Sequence, residues 1–167
     1  TGRLTRVFTE RDSAWVDVDD DLRFIDKGRA FLWSSERDGW EHLYRVSRDG
    51  RKVKQLTPGG YDVLRLDGVD EKAGWLYFTA SPDNPAQRYL YRAKLGGGKP
   101  ERVTPAANAG TNGYDLAPDA RHAWHTHSSF GTPPVISLVE LPSHRVVRTV
   151  VQNERLKARL AALRRGE

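Results

Sequence analysis

Short runs of alternating apolar and polar residues, separated by turns rich in Gly and Asp, fill most of this chain. Alternation with a period of two predicts β-strands that turn one side toward a core. Within residues 20–60 the pattern predicts strands at 22–25, 30–34, 42–47 and 52–56. Asp38-Gly39 and Asp49-Gly50 lie between these runs and suit tight hairpin turns. The pattern therefore predicts a four-stranded antiparallel meander.

The same meander recurs further along the chain. Leu43-Tyr44-Arg45 returns as Leu90-Tyr91-Arg92, and Leu56-Thr57-Pro58 returns as Val103-Thr104-Pro105, both 47 residues later. A second set of strands is predicted at 64–69, 75–80, 89–94 and 101–103, and a third, fainter set at 113–116, 122–127, 135–141 and 145–151. Several landmarks with one shared spacing indicate a structural repeat.

A four-stranded antiparallel sheet that repeats every 40–50 residues is typical of a β-propeller blade. The predicted fold class is all-β: a partial β-propeller of about three blades at 20–60, 61–108 and 109–151. Residues 1–19 are expected to complete or lead from a preceding blade. Residues 152–167 are expected to hold a short basic helix, with Leu156, Leu160 and Leu163 along one side. Three blades make an arc, so more blades must come from a longer chain or from oligomerisation.

Composition narrows the classes of protein. The 167 residues begin at Thr1 and include no Met, so we expect a processed chain or a piece of a longer one. The absence of Cys excludes disulfides and thiolate metal sites, and no apolar run reaches the roughly 20 residues of a membrane span. The net charge is +5, but acidic and basic residues are interspersed, so we expect no nucleic-acid binding.

The first blade carries a family resemblance. The segment Phe31-Leu32-Trp33-Ser34-Ser35-Glu36-Arg37-Asp38-Gly39-Trp40, followed by His42-Leu43-Tyr44, resembles the propeller of dipeptidyl peptidase IV-type serine peptidases, especially bacterial members. Further matching pieces are Leu56-Thr57, Leu76-Tyr77-Phe78-Thr79-Ala80 and Tyr89-Leu90-Tyr91-Arg92. The resemblance covers roughly residues 7–155 and identifies the later blades of the propeller.

The resemblance implies an exopeptidase that removes N-terminal X-Pro or X-Ala dipeptides, with a propeller that gates and walls the active-site cavity. It places the catalytic Ser, Asp and His in an α/β-hydrolase domain beyond residue 167, and it suggests the bacterial periplasm or secretion. This chain has neither the Gly-x-Ser-x-Gly motif of the nucleophile nor the Glu-Glu pair that holds the substrate amine in the family. We therefore predict no catalytic residue, cofactor or metal ligand in this chain. Its predicted partners are the remaining blades, the hydrolase domain and peptide substrates, with self-association of the isolated arc.

The polar stretch from Ser34 to Asp38 is the first candidate for chemistry. His42 begins the next predicted strand and can approach Ser35 across the hairpin, as a nucleophile and base would require. Consecutive side chains diverge in an extended chain, so an inter-strand turn with Asp38-Gly39 at its tip is the favoured interpretation.

Two further groups of side chains could bind a metal ion. His122, His125 and His127 resemble the start of a metal site, but neither Asp115 nor Asp119 has a matching spacing, so polar strand residues are favoured. The acidic run Asp17, Asp19, Asp20 and Asp21 lacks the Gly and Glu of a calcium loop, which favours a solvated turn.

The aromatic and helical features also have two interpretations. The five tryptophans resemble a platform on which a ligand could stack. Three of them recur in or next to the second strand of successive units, which favours packing between blades: Trp33, Trp75 and Trp124. Trp15 and Trp40 lie elsewhere. The basic C-terminal helix is expected to dock on an adjoining domain, with membrane-surface or nucleic-acid binding as the alternatives.

For the whole chain, the alternative function is a non-catalytic propeller module that binds peptides or partner proteins.

Overall fold

A computed structural model describes residues 2, 4–16 and 22–163 of the chain. Twelve strands form three four-stranded antiparallel sheets, each a simple meander in chain order. We call the sheets blade 1, blade 2 and blade 3. The strands of blade 1 are β1 (Arg23–Ile25), β2 (Ala30–Ser35), β3 (His42–Ser47) and β4 (Val53–Gln55). Those of blade 2 are β5 (Val63–Asp70), β6 (Trp75–Ala80), β7 (Tyr89–Lys94) and β8 (Glu101–Arg102).

Blade 3 contains β9 (Thr111–Leu116), β10 (His122–Ser129), β11 (Thr132–Glu140) and β12 (Val146–Val151). A 3₁₀ turn at Asp26–Gly28 joins β1 to β2, and helix α1 (Glu154–Ala162) follows blade 3. The predicted fold class, a partial propeller of three four-stranded blades with a short C-terminal helix, is confirmed. Helix α1 lies within the segment 152–167 predicted to hold it, and residues 164–167 lie outside the described part of the chain.

The blades are held together by apolar side chains on both sides of each middle strand. Along β6, Leu76 and Phe78 are fully buried against blade 1, whereas Tyr77 between them packs in the cluster shared with blade 3. Successive strand residues point to opposite faces, so one strand contributes to two cores. The first cluster also includes Leu32 and Leu43 of blade 1.

Where the first strands of blades 2 and 3 meet, the Leu116 side chain packs closely on the backbone of Gly68. A Cβ atom on Gly68 would lie 2.9 Å from the Cδ2 atom of Leu116. The register of β5 and β6 shifts beside Gly68, as expected at a β-bulge. A side chain at position 68 would therefore require the Leu116 side chain to shift.

The outer side of blade 1 is covered by residues 4–16. Phe31, Tyr44 and Val46 form a small buried cluster there, with Trp33 packed against it. The ring of Phe8 meets Trp33 edge-on at a centroid distance of 5.6 Å. The N-terminal segment thus lies where a neighbouring blade would pack on blade 1.

Candidate functional site

The polar hairpin of blade 1 contains a hydrogen-bonded turn. Ser35, at the end of β2, pairs in register with His42 at the start of β3, so sequence reasoning placed the two correctly. Their side chains nevertheless bind different partners. The Nε2 atom of His42 lies 3.0 Å from the carbonyl oxygen of Gly59, and its Nδ1 atom lies 3.3 Å from the Oγ1 atom of Thr57. Both ring nitrogens therefore contact the connection from blade 1 to blade 2.

Ser35 belongs to a separate network centred on Glu10. The Ser35 hydroxyl donates to Glu10 Oε1 at 2.8 Å, and Trp33 Nε1 and Arg37 Nη2 donate to Oε2 at 3.0 and 2.9 Å. Arg37 Nε also donates to the Ser35 hydroxyl oxygen at 3.0 Å. The Ser35 hydroxyl thus donates to a carboxylate that also binds Trp33 and Arg37. In the described hairpin, no hydrogen bond joins Ser35 to His42, as a serine nucleophile with a histidine base would require.

Sequence reasoning missed Glu10, because it lies far from the hairpin in the chain and stands in no recognisable motif. Its side chain is 18% exposed and accepts from three side chains of blade 1. Arg37 is held between Glu10 and two rings, with its guanidinium 5.0 Å from the centroid of Phe8 and 4.7 Å from that of Tyr44. Charge-assisted bonds of this kind are stronger than neutral ones, so Glu10 fastens the N-terminal segment to blade 1.

A cavity of about 310 Å³ lies beside this network, and we call it the blade 1 cavity. Its walls come from residues 10–16, from β2 with the turn that follows it, and from the first residues of β5. Apolar lining residues at its base are buried: Leu32, Leu43 and Val63. Trp15 also lines the cavity and is 74% exposed. An apolar base with polar groups around it is the usual composition of a ligand pocket.

The charges around the blade 1 cavity do not balance. Arg37 is paired with Glu10, and Arg65 donates to the buried carboxylate of Asp67. In total, the lining contains four acidic and three basic residues: Glu10, Asp12, Glu36 and Glu41, with Arg11, Arg37 and Arg65. The cavity is therefore acidic, although the whole chain carries a net charge of +5.

Asp67 is a buried carboxylate between blades 2 and 3. The Thr79 hydroxyl donates to Asp67 Oδ2 at 2.7 Å, and Arg65 Nε donates to Oδ1 at 2.8 Å. Burial raises the pKa of Asp67 above its usual value, and the bonds from Thr79 and Arg65 oppose this effect. Arg65 also donates to the carbonyl oxygen of Tyr114 at 2.7 Å, so the group ties the two blades together.

The histidines of β10 divide between two environments. His125 is buried, with its ring stacked on Tyr114 at 4.6 Å and edge-on to His144 at 4.7 Å. The Nε2 atom of His125 lies 2.8 Å from the Oδ1 atom of Asn112. Desolvation, with smaller contributions from His144 and His127, lowers the pKa of His125 to about 3. Sequence reasoning placed His125 and His127 on one face but did not find His144, which reaches the cluster from the turn between β11 and β12.

Nothing in this cluster resembles a metal centre. The Tyr114 hydroxyl lies 2.8 Å from both His144 Nε2 and Thr104 Oγ1, so these groups bind one another. Among the described residues, no three His, Cys, Asp or Glu side chains converge in a way that would hold a metal ion. The acidic run Asp17, Asp19, Asp20 and Asp21 lies outside the described residues.

The tryptophans differ in how they pack. Trp33 contacts the N-terminal segment, and Trp75 packs in the cluster between blades 2 and 3 with the Arg92 guanidinium 4.1 Å from its ring centroid. Trp124 is 44% exposed on the outer side of blade 3. Trp75 therefore packs between blades as predicted, whereas the described part of the chain covers Trp124 only in part.

Comparison with known proteins assigns the chain to a family. The family model described as the dipeptidyl peptidase IV N-terminal region matches residues 1–134. The chain belongs to this family. The predicted resemblance is thereby confirmed at the level of the dipeptidyl peptidase IV N-terminal region.

Individual members of the dipeptidyl peptidase IV family agree with this assignment. A probable dipeptidyl-aminopeptidase B of Coccidioides posadasii is 30% identical over 128 residues, which is 71% of this chain and 14% of that protein. The Emericella nidulans protein of the same description is 34% identical over 123 residues, covering 67% of this chain and 13% of that one. The chain thus spans a small part of the length of these relatives.

A solved structure shares the arrangement of blades. The crystal structure of Porphyromonas gingivalis dipeptidyl peptidase 4 matches with a TM-score of 0.76 and 30% identity, covering 86% of this chain and 20% of that chain. A putative dipeptidyl aminopeptidase IV from Bacteroides ovatus shares the fold, with a TM-score of 0.67. Across the described residues, no helix has the length and apolar character that crossing a membrane requires.

Proposed function

We propose that this chain is the propeller segment of a bacterial dipeptidyl peptidase IV-like serine exopeptidase that releases N-terminal X-Pro or X-Ala dipeptides. The match of the family model to residues 1–134 carries the proposal. The segment gates access to the active site and forms one wall of its cavity. Residues 20–60, 61–108 and 109–151 act as successive blades, with 1–19 leading in from a preceding blade and 152–167 leading toward a hydrolase domain.

In this function the chain contributes no nucleophile. The contacts of Ser35 and His42 support this, because each is bound to a different structural partner. Acyl transfer requires a serine, a histidine base and oxyanion donors that converge on one carbonyl group. In the proposed enzyme those groups belong to the hydrolase domain, and the blades supply the walls around them.

The test compares the 167-residue chain with the product of the complete gene. Both are assayed with Gly-Pro and Ala-Pro p-nitroanilides and labelled with a fluorophosphonate that modifies active serines. We expect turnover and labelling from the complete product and neither from the chain alone. Peptidase activity that co-purifies with the chain, or an inactive complete product, would contradict the proposal.

A second candidate is a non-catalytic propeller that binds peptides or partner proteins. The blade 1 cavity favours it, because a ligand pocket in this chain needs no hydrolase domain. The gene downstream of Glu167 separates the two functions. A Gly-x-Ser-x-Gly motif followed by Asp and His supports the peptidase, and a stop codon supports the binding module.

A further inference from the structure

The blade 1 cavity combines an apolar base, an exposed indole and an excess of carboxylates. Leu32 and Val63 at its base are 1% and 5% exposed, whereas Trp15 at its edge is 74% exposed. A lysine or arginine side chain has a matching composition, because its alkyl stem suits apolar surface and its charged end suits carboxylates or the face of an aromatic ring.

We infer that the blade 1 cavity binds a lysine or arginine side chain of a peptide, with its charged end at Glu36 and Glu41 and its stem against the apolar base. The inference deepens the proposed function and rests on it, because it assigns a residue preference to a wall of the peptidase cavity. It makes Glu36 and Trp15 residues that determine specificity.

Glu36 is the carboxylate of the blade 1 cavity that is best placed to bind an incoming cation. It is exposed, and its side chain makes no hydrogen bond or ion pair with any described residue, whereas the nearby Glu10 is fully used by three donors. Glu41 accepts a hydrogen bond from Ser34, which fixes a second carboxylate at the same cavity. A cation that enters therefore meets one carboxylate that has no partner among the described residues and another that is already oriented.

Trp15 is held at the edge of the cavity by a local turn. The Asp12 Oδ1 atom accepts from the backbone N–H of Ala14 at 2.7 Å and of Trp15 at 3.4 Å. Asp side chains stabilise turns of this kind. The indole is thus kept at the cavity entrance while remaining exposed, as stacking on an incoming cationic side chain requires.

The experiment measures binding of short peptides to the 167-residue chain by ¹H–¹⁵N shift titration. The probe is Ala-Lys-Ala with an acetylated N-terminus and an amidated C-terminus, and the comparison peptide has norleucine at the centre. A third peptide, Ala-norleucine-Ala with a free N-terminus, separates recognition of a side-chain cation from recognition of an α-amino group. We expect the lysine peptide to bind roughly three- to tenfold more tightly than either other peptide, with indole shifts of Trp15 and loss of the preference in high salt.

Two variants and a control test the assignment. Glu36→Gln should weaken binding of the lysine peptide about two- to fivefold, as loss of one exposed ion pair predicts. Trp15→Ala should weaken it by a similar factor, whereas Glu154→Gln, the same charge change on α1, should leave it unchanged. Equal binding of the lysine and norleucine peptides, preference for the free α-amino group, or equal effects of the Glu36 and Glu154 variants would overturn the inference. A complete gene product without peptidase activity would instead overturn the proposed function while leaving the peptide preference intact.

Discussion

The hydroxyl oxygen of Thr57 accepts a hydrogen bond from the backbone N–H of Leu43 at 3.0 Å, deep in the interior of the fold. At the corresponding place in blade 2, Thr104 accepts from the N–H of Leu90 at 2.8 Å. Both threonines follow the fourth strand of their blade and fasten the chain to the third. The sequence repeat of 47 residues is therefore also a repeat of buried hydrogen bonds.

Replacing either threonine with valine should lower the free energy of unfolding. Loss of a buried acceptor leaves an N–H without a partner, which costs about 1–3 kcal/mol. The loss should be larger for Thr104→Val, because the second partner of Thr104, the Tyr114 hydroxyl at 2.8 Å, is closer than that of Thr57, the His42 Nδ1 atom at 3.3 Å. Urea denaturation of both variants measures the effect.

Thr9 offers a matched control for these two substitutions. Phe8-Thr9 stands where Leu56-Thr57 and Val103-Thr104 stand in the later blades, but Thr9 is exposed and has no hydrogen bond with a described residue. Thr9→Val should change the unfolding free energy by less than about 0.5 kcal/mol. Equal losses in all three variants would contradict a special role for the buried threonines.

Much of the fold could be predicted because the blades obey local rules. The predicted strands 75–80 and 89–94 coincide with β6 and β7. Strand β11 begins at Thr132, three residues before the predicted 135. Pro133 and Pro134 argue against a strand because they lack N–H donors, but they lie beside the register shift between His127 and Ser129, where the ladder is already interrupted.

The candidate site was harder to predict from the sequence than the fold. Glu10 and Arg37 are 27 residues apart, and only the packing of the N-terminal segment on blade 1 brings their side chains to 2.9 Å. The contact between His125 and His144 likewise depends on how a turn folds over a sheet face. Periodicity predicts which side of a strand a residue occupies, but not which distant segment covers that side.

Substituting Tyr61 with phenylalanine should stabilise the protein or leave its stability unchanged. The Tyr61 hydroxyl is buried and has no hydrogen-bond partner among the described residues, while its ring packs against His42 and Tyr91. Burial raises the pKa of Tyr61 to about 12. Removing an unsatisfied hydroxyl and keeping the ring should raise the free energy of unfolding by up to about 1–2 kcal/mol.

Thermal and urea denaturation of Tyr61→Phe measure this change. Tyr114→Phe is the matched control, because the Tyr114 hydroxyl binds both Thr104 and His144. The control should lose about 1–2 kcal/mol. A loss of stability in Tyr61→Phe as large as that in the control would show that the Tyr61 hydroxyl is satisfied in solution.

Replacing Glu10 with alanine should detach the N-terminal segment from blade 1. The change leaves Trp33, Ser35 and Arg37 without their shared acceptor, which we expect to cost about 1–3 kcal/mol. Trypsin should then cleave at Arg6 or Arg11 faster than in the unmodified protein. Glu36→Ala is the control, since that carboxylate makes no hydrogen bond or ion pair with a described residue, and faster cleavage in both variants would contradict the role of Glu10.

The isolated chain should self-associate through the outer side of blade 3. Trp124 is 44% exposed there, and Val150 on β12 is 46% exposed on the same face, two residues from Arg148, which lies in register with Leu138 and Trp124. Contiguous exposed apolar side chains of this kind favour association. Analytical ultracentrifugation should show an average mass that rises with protein concentration. Trp124→Glu should reduce this rise, whereas the control Phe130→Glu, at an exposed hairpin tip, should not. A monodisperse monomer that melts cooperatively would contradict this expectation.

His125 should make the protein less stable in acid. The pKa of His125 is about 3 when folded and near 6.5 when unfolded, so the unfolded chain binds an extra proton between these pH values. The free energy of unfolding should therefore fall as pH decreases from about 6.5 toward 3, by at most roughly 1.4 kcal/mol per pH unit from this group. Above pH 6.5 the His125 ring is neutral in both the folded and the unfolded chain, so its contribution to stability no longer changes with pH.

His125→Gln removes this titration and introduces a side-chain amide that can replace the ring nitrogen as a partner of Asn112. We expect the variant to be less stable than the unmodified protein at pH 7, because the stacking on Tyr114 is lost, and the difference to shrink or reverse by pH 4. His122→Gln, on the same strand but outside the buried cluster, should give a pH dependence parallel to that of the unmodified protein. Urea denaturation midpoints of the unmodified protein and the two variants are measured at several pH values. If the midpoint of His125→Gln falls with decreasing pH in parallel with that of the unmodified protein, His125 does not cause the acid sensitivity.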